Sequence, residues 1–454
     1  MNPLNAELTN TFSIKLKLLL SQPLIRSMMV VAFISIFVKV TGFYKETVIA
    51  ASFGLSELLD TYFIAVLIPA FVQNVFVDSL SNLFVPNYIT ELKTTNQIKS
   101  FQSVSFMIVT AMIIILTIIC LIFSEYLLTT VFPNHSEKYY HLIRIQFYWI
   151  LPSLFFWGYS SLLCCLLEVK NKFLYSTIPP VFTTITTILC LVFFKEKLQE
   201  IVLAIGMLTG SIVAFLYLLI LCVHNKEISL GPPVVNKNTR IMIAQLPPKI
   251  TSGLLSCSNS FVEKFFAAQL IAGSIAALNY GSKIPAFAVG MLILPLGSVL
   301  LPHFARSMND DLLKTYKQLF KILKWVFFSS LCLCVLGMFV SNDLVRVLFE
   351  RKEFTANDTL IVANIQKIGL LYIPFYLNTL ICVKFLTAIN KNKFMAWTSL
   401  WNLCLNLLLN AVLIKYWGIY GLAMSTTIMY IVSSIIYVGF TYKQYKIAVS
   451  KTEV

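Results

Sequence analysis

Nine ionisable side chains in four of the long apolar runs of this sequence are the candidates for chemistry. Lys39, Lys45, Glu46, Asp60 and Asp78 fall in the first two runs; Lys249, Glu263, Lys264 and Lys283 fall in the seventh and eighth. A charge near the middle of a bilayer costs about 3 kcal/mol or more, so one that is kept there marks a pathway or a site. Lysine is a point-charge partner for phosphate, and a cavity whose unpaired charge is basic suits an anion. Lys39 stands out, because it lies roughly 22 Å along its run at helical rise. Local roles compete with this reading. Lys264 can pair with the adjacent Glu263 or snorkel, Asp60 can cap the second span, and Glu46 and Asp78 can neutralise nearby lysines. No other chemistry has its residues. The four histidines (His135, His141, His224, His303) are scattered, with no His-Glu-x-x-His and no paired carboxylates. The ten cysteines sit in apolar segments without a Cys-x-x-Cys, which predicts small buried hydrophobes and neither disulfides nor metal ligands. No Gly-x-x-x-x-Gly-Lys-Ser/Thr phosphate loop is present, so no nucleotide and no cofactor are expected.

The elements that position these charges follow from composition. Of 454 residues, 58% are hydrophobic and 12% charged, and the mean hydropathy is +0.81. Ordinary soluble domains carry about 25% charged residues, so secreted disulfide scaffolds, disordered tails and nearly every soluble enzyme are excluded. The expected fold is all-α and polytopic, with helices near 24–52, 59–90, 102–123, 142–167, 173–194, 201–223, 240–269, 273–305, 317–340, 360–388, 394–414 and 418–440. The first, second, seventh and eighth of these twelve exceed one bilayer crossing and should tilt or bend. Gly42, Pro69, Pro247, Pro248, Pro285 and Pro295 are the candidate bending points. Lys and Arg count twenty on the side of the termini against seven on the other, which predicts both termini in the cytoplasm. The net charge of +15 is spread over these loops and forms no stripe for nucleic acid. Lys15 and Lys17 precede Leu18–Leu20 with no small-residue cleavage site after them, so no cleaved signal peptide is expected.

The two halves resemble each other. Ile68-Pro69-Ala70-Phe71 recurs as Ile284-Pro285-Ala286-Phe287, and Pro86 and Pro302 follow at equal spacing. Lys170-Asn171-Lys172-Phe173 recurs as Lys391-Asn392-Lys393-Phe394, and Leu203-Ala204 as Leu422-Ala423. The organisation read from this is an N-terminal cytoplasmic segment 1–23, a six-helix bundle 24–223 and a linker 224–239 with Gly231-Pro232-Pro233. A second six-helix bundle 240–440 and a cytoplasmic tail 441–454 complete it. An even number of helices per repeat leaves both halves facing the same way, which is a transporter architecture with a site between bundles.

At these residues the chain resembles the lipid II flippase (MurJ/MviN) family of the multidrug/oligosaccharidyl-lipid/polysaccharide exporter superfamily. The first span reads Lys39-Val-Thr-Gly42-Phe43-Tyr-Lys45-Glu46, with lysine where the family usually has arginine. Asp60-Thr61-Tyr62-Phe63 resembles the family's opening of the second span, and Tyr280-Gly281-Ser282-Lys283 its Tyr-x-x-Arg. Leu344-Val345-Arg346-Val347-Leu348-Phe349-Glu350-Arg351 with Phe354-Thr355 resembles a loop specific to the family. The family's arginine pair in the second span falls on Gln73 and Asn74, and its two final helices have no counterpart after the twelfth span. The resemblance implies a V-shaped pair of bundles, a central cavity lined by the first, second, seventh and eighth spans, and alternating access. It also implies that Lys39, Lys45 and Lys283 hold a diphosphate or sugar headgroup while Asp60 gates or pairs with a lysine.

The function expected is therefore a flippase that moves a polyprenyl-diphosphate-linked saccharide, lipid II-like, from the cytoplasmic to the periplasmic leaflet of a bacterial inner membrane. Glu46, Asp78, Glu263 and Lys264 would set the cavity charge or gate, and Gly42, Pro69 and Pro285 would bend the helices. Membrane potential or an ion gradient would drive transport. The partners expected are the lipid-linked oligosaccharide, membrane lipids, and enzymes of cell-wall or polysaccharide synthesis. Lysine at the arginine positions keeps a second reading open, namely another lipid-linked glycan such as an O-antigen, capsule or exopolysaccharide unit. A cationic drug exporter fits less well, because its cavity should be acidic.

Overall fold

The computed structural model describes residues 23–94, 97–133 and 135–452, and these contain helices and no strand. The helices are α1 Pro23–Phe53, α2 Glu57–Val72, α3 Asp78–Thr94, α4 Ile98–Val131, α5 Glu137–Ile150, α6 Ser153–Val169, α7 Phe173–Thr177, α8 Pro179–Leu198 and α9 Val202–His224. They continue as α10 Lys237–Ala267, α11 Ser274–Asp310, α12 Leu312–Phe339, α13 Ser341–Phe349, α14 Ala356–Leu370, α15 Ile373–Ala388 and α16 Asn392–Thr452. Segment 1–22 of the expected N-terminal region lies outside the described residues.

Local chemistry sets several of the boundaries. Ser56 opens α2 by accepting from the Leu59 N–H, and Asp311 opens α12 by accepting from Lys314. Thr355 and Asp358 form a reciprocal capping box at the start of α14. Between α2 and α3 the helix widens into a π segment, Gln73–Val77, four residues after Pro69. Three expected single spans are broken: 142–167 between Ile150 and Ser153, where Pro152 withdraws a backbone N–H, 173–194 at Ile178, ahead of Pro179 and Pro180, and 360–388 between Leu370 and Ile373, ahead of Pro374. Residues 394–440, expected as two helices, run on as α16, which kinks at Gly418 and continues through residues 441–452 that were expected as a tail. The loops expected near 124–141 and 341–359 are largely helical, containing the end of α4, the start of α5, and α13.

Among the described residues, seven segments are long and apolar enough to cross a membrane. Two of them, Phe173–His224 with 52 residues and Asn392–Ser450 with 59, far exceed the roughly 20 residues of one pass. The helices α1, α10 and α11 are not among the seven, so this count stops short of twelve; in α10 the apolar run is interrupted by Lys249, Glu263 and Lys264. This is a multi-pass membrane protein, and its outer faces show it. On α4, Ile114, Ile115, Ile118 and Ile122 are exposed, as are Trp325, Phe328 and Leu336 on α12, a distribution suited to lipid. All ten cysteines are free; Cys332 and Cys404 are exposed on helix faces, in contrast to the burial expected of them.

The chain forms two compact units that do not follow the expected bundles 24–223 and 240–440. The first unit takes residues up to Glu46, Phe76–Thr117 and Trp149–Pro247. In it α8 and α9 meet along a small-residue seam, where Thr186 donates to the Gly206 carbonyl at 2.9 Å. The linker also belongs to this unit. Gln102 donates to the Glu227 carbonyl and accepts from the Ser229 N–H, while the buried Glu91 carboxylate accepts from Asn236 and Asn238. The second unit takes Thr47–Val75, Ile118–Tyr148 and everything from Pro248 onward. Its aromatic centre is Tyr280, packed on Phe349, Phe354 and Phe63. Parts of the first half thus join the second half, and the contacts responsible form the site described next.

Candidate functional site

Within the second unit, α1 ends at a turn closed by Gly54, which holds φ +55°. The left-handed region favours glycine, and here a Cβ would also collide with the Glu353 carbonyl. The Glu353 N–H in turn donates to the Ala51 carbonyl at 3.2 Å. The turn delivers Ser56, and Ser56 starts α2 with Glu57 and Asp60 in its first turn.

Asp60 does not cap its own helix, because Ser56 already does. It caps α11. Its Oδ2 accepts from the Gly273 N–H at 2.7 Å and its Oδ1 from the Ala276 N–H at 2.8 Å. The side chain is 2% exposed. The first turn of α11 has no side-chain cap of its own, since its cap position is Gly273 at φ +91°. Its orphan N–H groups and positive dipole end therefore bind the carboxylate. Gly273 is required for the approach as well, because a Cβ there would meet the Leu55 carbonyl at 2.5 Å.

A cavity of about 160 Å³ adjoins this contact, lined by Glu57, Asp60, His135, Tyr139 and the 268–272 turn. His135 stacks on Tyr139 at 4.1 Å. Burial holds its imidazole below the ordinary histidine value, against opposite pulls from the Ala268 backbone and the Glu57 charge. Beside it Thr61 accepts from Gln146 at 3.1 Å, so α2 is also tied to α5.

The other expected site residues divide between the units. Lys39, Lys45, Glu46 and Asp78 are half-buried in the first, where Lys45 and Glu46 lie 3.6 Å apart. Glu263, Lys264 and Lys283 are half-buried in the second, with Asp60. Lys283 lies two turns beyond Ala276 on the same face of α11, roughly 10 Å along the axis. Gly281 just before it gives α14 close access, since a Cβ there would meet Ile365. Of the bending points, Pro69 precedes the π segment, whereas Gly42 and Pro285 lie in uninterrupted helices.

Sequence reasoning missed Gly54, Gly273, His135 and Glu353. A signal for one contact was present: the 216-residue offset between the two Ile-Pro-Ala-Phe motifs is also the offset between Asp60 and Ala276.

A family model described as lipid II flippase MurJ matches residues 49–452. The probable lipid II flippase MurJ of Buchnera aphidicola subsp. Acyrthosiphon pisum is 27% identical over 423 residues, covering 89% of this chain and 81% of that one. Among solved structures, a lipid II flippase MurJ in an inward closed conformation superposes with a TM-score of 0.74 at 25% identity, covering 91% and 87%. A multidrug resistance MATE family transporter in an inward-facing conformation has a TM-score of 0.77 at 12% identity, covering 93% and 100%, and shares the fold.

Proposed function

The chain belongs to the lipid II flippase family MurJ, and from that premise we propose that it moves lipid II across the membrane by alternating access. It is a transporter and not an enzyme. The reading is supported by the family membership and by the Asp60 contact, in which a carboxylate of the first half holds the uncapped N-terminus of α11, an end we take as the closed one. In the cycle we infer, Lys39, Lys45 and Lys283 hold the substrate diphosphate as point charges. Breaking the Asp60 contact then opens the closed end, with water replacing the two N–H donors. Glu46, Asp78, Glu263 and Lys264 adjust the charge that the diphosphate meets, and Gly42, Pro69 and Pro285 let their helices bend. Membrane potential, at about 2.3 kcal/mol per charge per 100 mV, or an ion gradient drives the step. We place the protein in a bacterial inner membrane with twelve passes and both termini cytoplasmic, a reading supported by the lysine and arginine asymmetry and by the two over-long apolar segments. Enzymes of cell-wall synthesis would supply and consume the substrate.

The test is complementation of a bacterium whose own lipid II flippase can be switched off. Rescue is expected, and Lys283→Ala should abolish it. A chain that reaches the membrane without rescuing growth would instead serve another lipid-linked glycan, a reading favoured by lysine at all three headgroup positions.

A further inference from the structure

We propose that the outer face of the second unit carries a seat for one anionic phospholipid, in a groove formed by α12, α15 and α16. The groove encloses about 560 Å³ and is lined by Phe320, Phe327, Phe375, Ile435, Gly439 and Tyr442. One wall is the α12 stripe Lys317, Phe320, Lys324, Phe327, which keeps one helix face. The facing wall is the α16 stripe Ile435, Gly439, Tyr442, Lys446. Phe320 meets Tyr442 edge-on at 6.0 Å, and Phe327 meets Phe375 at 5.2 Å. Gly439 opens the slot, because a Cβ built on it would find nothing within 4 Å.

The charged residues gather at one end of this groove. The rings of Tyr316 and Tyr445 lie 5.5 Å apart, which brings their neighbours Lys317 and Lys446 to one level. The Lys446 Nζ sits 5.1 Å above the Tyr442 ring, and Lys324 lies two turns beyond Lys317, roughly 10 Å along α12, from where its long side chain can snorkel toward the same end. Lys317, Lys324, Lys443 and Lys446 are exposed, and none forms an ion pair among the described residues. From Lys446 to Ile435 the helix rises roughly 16 Å, close to the depth of one leaflet, about half of a 30 Å core. An acyl chain fills the slot along that length while the lysines hold its phosphate. The basic rim selects an anionic headgroup over a zwitterionic one.

The experiment is native mass spectrometry of the purified full chain after delipidation, titrated with phosphatidylglycerol or with phosphatidylcholine. One phosphatidylglycerol should be retained per chain in preference to phosphatidylcholine. Lys317→Gln with Lys446→Gln should weaken retention about thirtyfold. Gly439→Leu should empty the slot, and Lys93→Gln with Lys170→Gln, both in the first unit, should change nothing. If Gly439→Leu does not fold, the lysine pair decides alone. Equal retention of both lipids overturns the proposal, as does unchanged retention in the lysine double variant. It is also overturned if undecaprenyl phosphate displaces the bound lipid at equal concentration, or if a second copy of the chain covers the groove.

Discussion

The starts of α2 and α11 occupy equivalent places in the two repeats, and they carry opposite chemistry. In α2 the cap is Ser56, which serves its own helix and leaves Asp60 free to reach outward. In α11 the cap is Gly273, which has no side chain to accept from the first turn, and position 276 is alanine, so backbone N–H groups are left for an outside acceptor. One repeat supplies the acceptor and the other the donors. The carboxylate at position 60 has alanine at the equivalent position 276, and the capping serine of α2 has no counterpart at the start of α11, so the two helix starts are complementary. The helices diverge again downstream. After Pro69 the chain widens into the π segment Gln73–Val77, whereas α11 continues as α-helix past Pro285.

The most severe way to break this comparison is Asp60→Ala. It strands two buried N–H groups, each costing about 1–3 kcal/mol, and should abolish growth rescue while the protein still reaches the membrane. Adding Ala276→Asp should not restore function, because Ser56 already caps the helix that the relocated acid would face; rescue would show the two ends to be interchangeable. Gly273→Ala comes next. A positive φ and the Leu55 carbonyl oppose its methyl group, with an expected cost of about 1–3 kcal/mol, read as faster hydrogen exchange over 268–276. Ser56→Ala should cost about 1 kcal/mol and lower the melting temperature slightly, leaving transport intact.

The smallest effect concerns His135. Its value is lowered from the ordinary 6.5 by burial beside Glu57, Asp60 and Tyr139, so the closed form prefers neutral imidazole. Above pH 6.5 this group leaves the closed form unpenalised, and as pH falls below 6.5 toward the lowered value stability is lost. Faster labelling of an introduced cysteine at Ala272 should follow acidification, and His135→Phe, which keeps the stacking, should remove the response.

Much of the architecture was legible in the residues. Apolar composition and length marked a helical membrane protein, and the rarity of interior charges drew attention to Asp60, which the structure places on the start of α11. The boundaries inside 142–167 and 360–388 were not legible, because apolar periodicity runs straight through their breaks. The role of Asp60 was half legible. A carboxylate early in a helix reads as a cap for that helix, and only the competing Ser56 and the uncapped α11 turn it toward another.

By itself, the sequence determined a helical, multi-pass membrane protein with basic charges in two related hairpins. Those properties follow from composition and from the cost of charge in hydrocarbon. The tertiary structure alone decided which segments join which unit and which helix end Asp60 serves. Both depend on residues that are distant along the chain and lie within hydrogen-bonding distance only after folding, Asp60 and Gly273 being 213 positions apart.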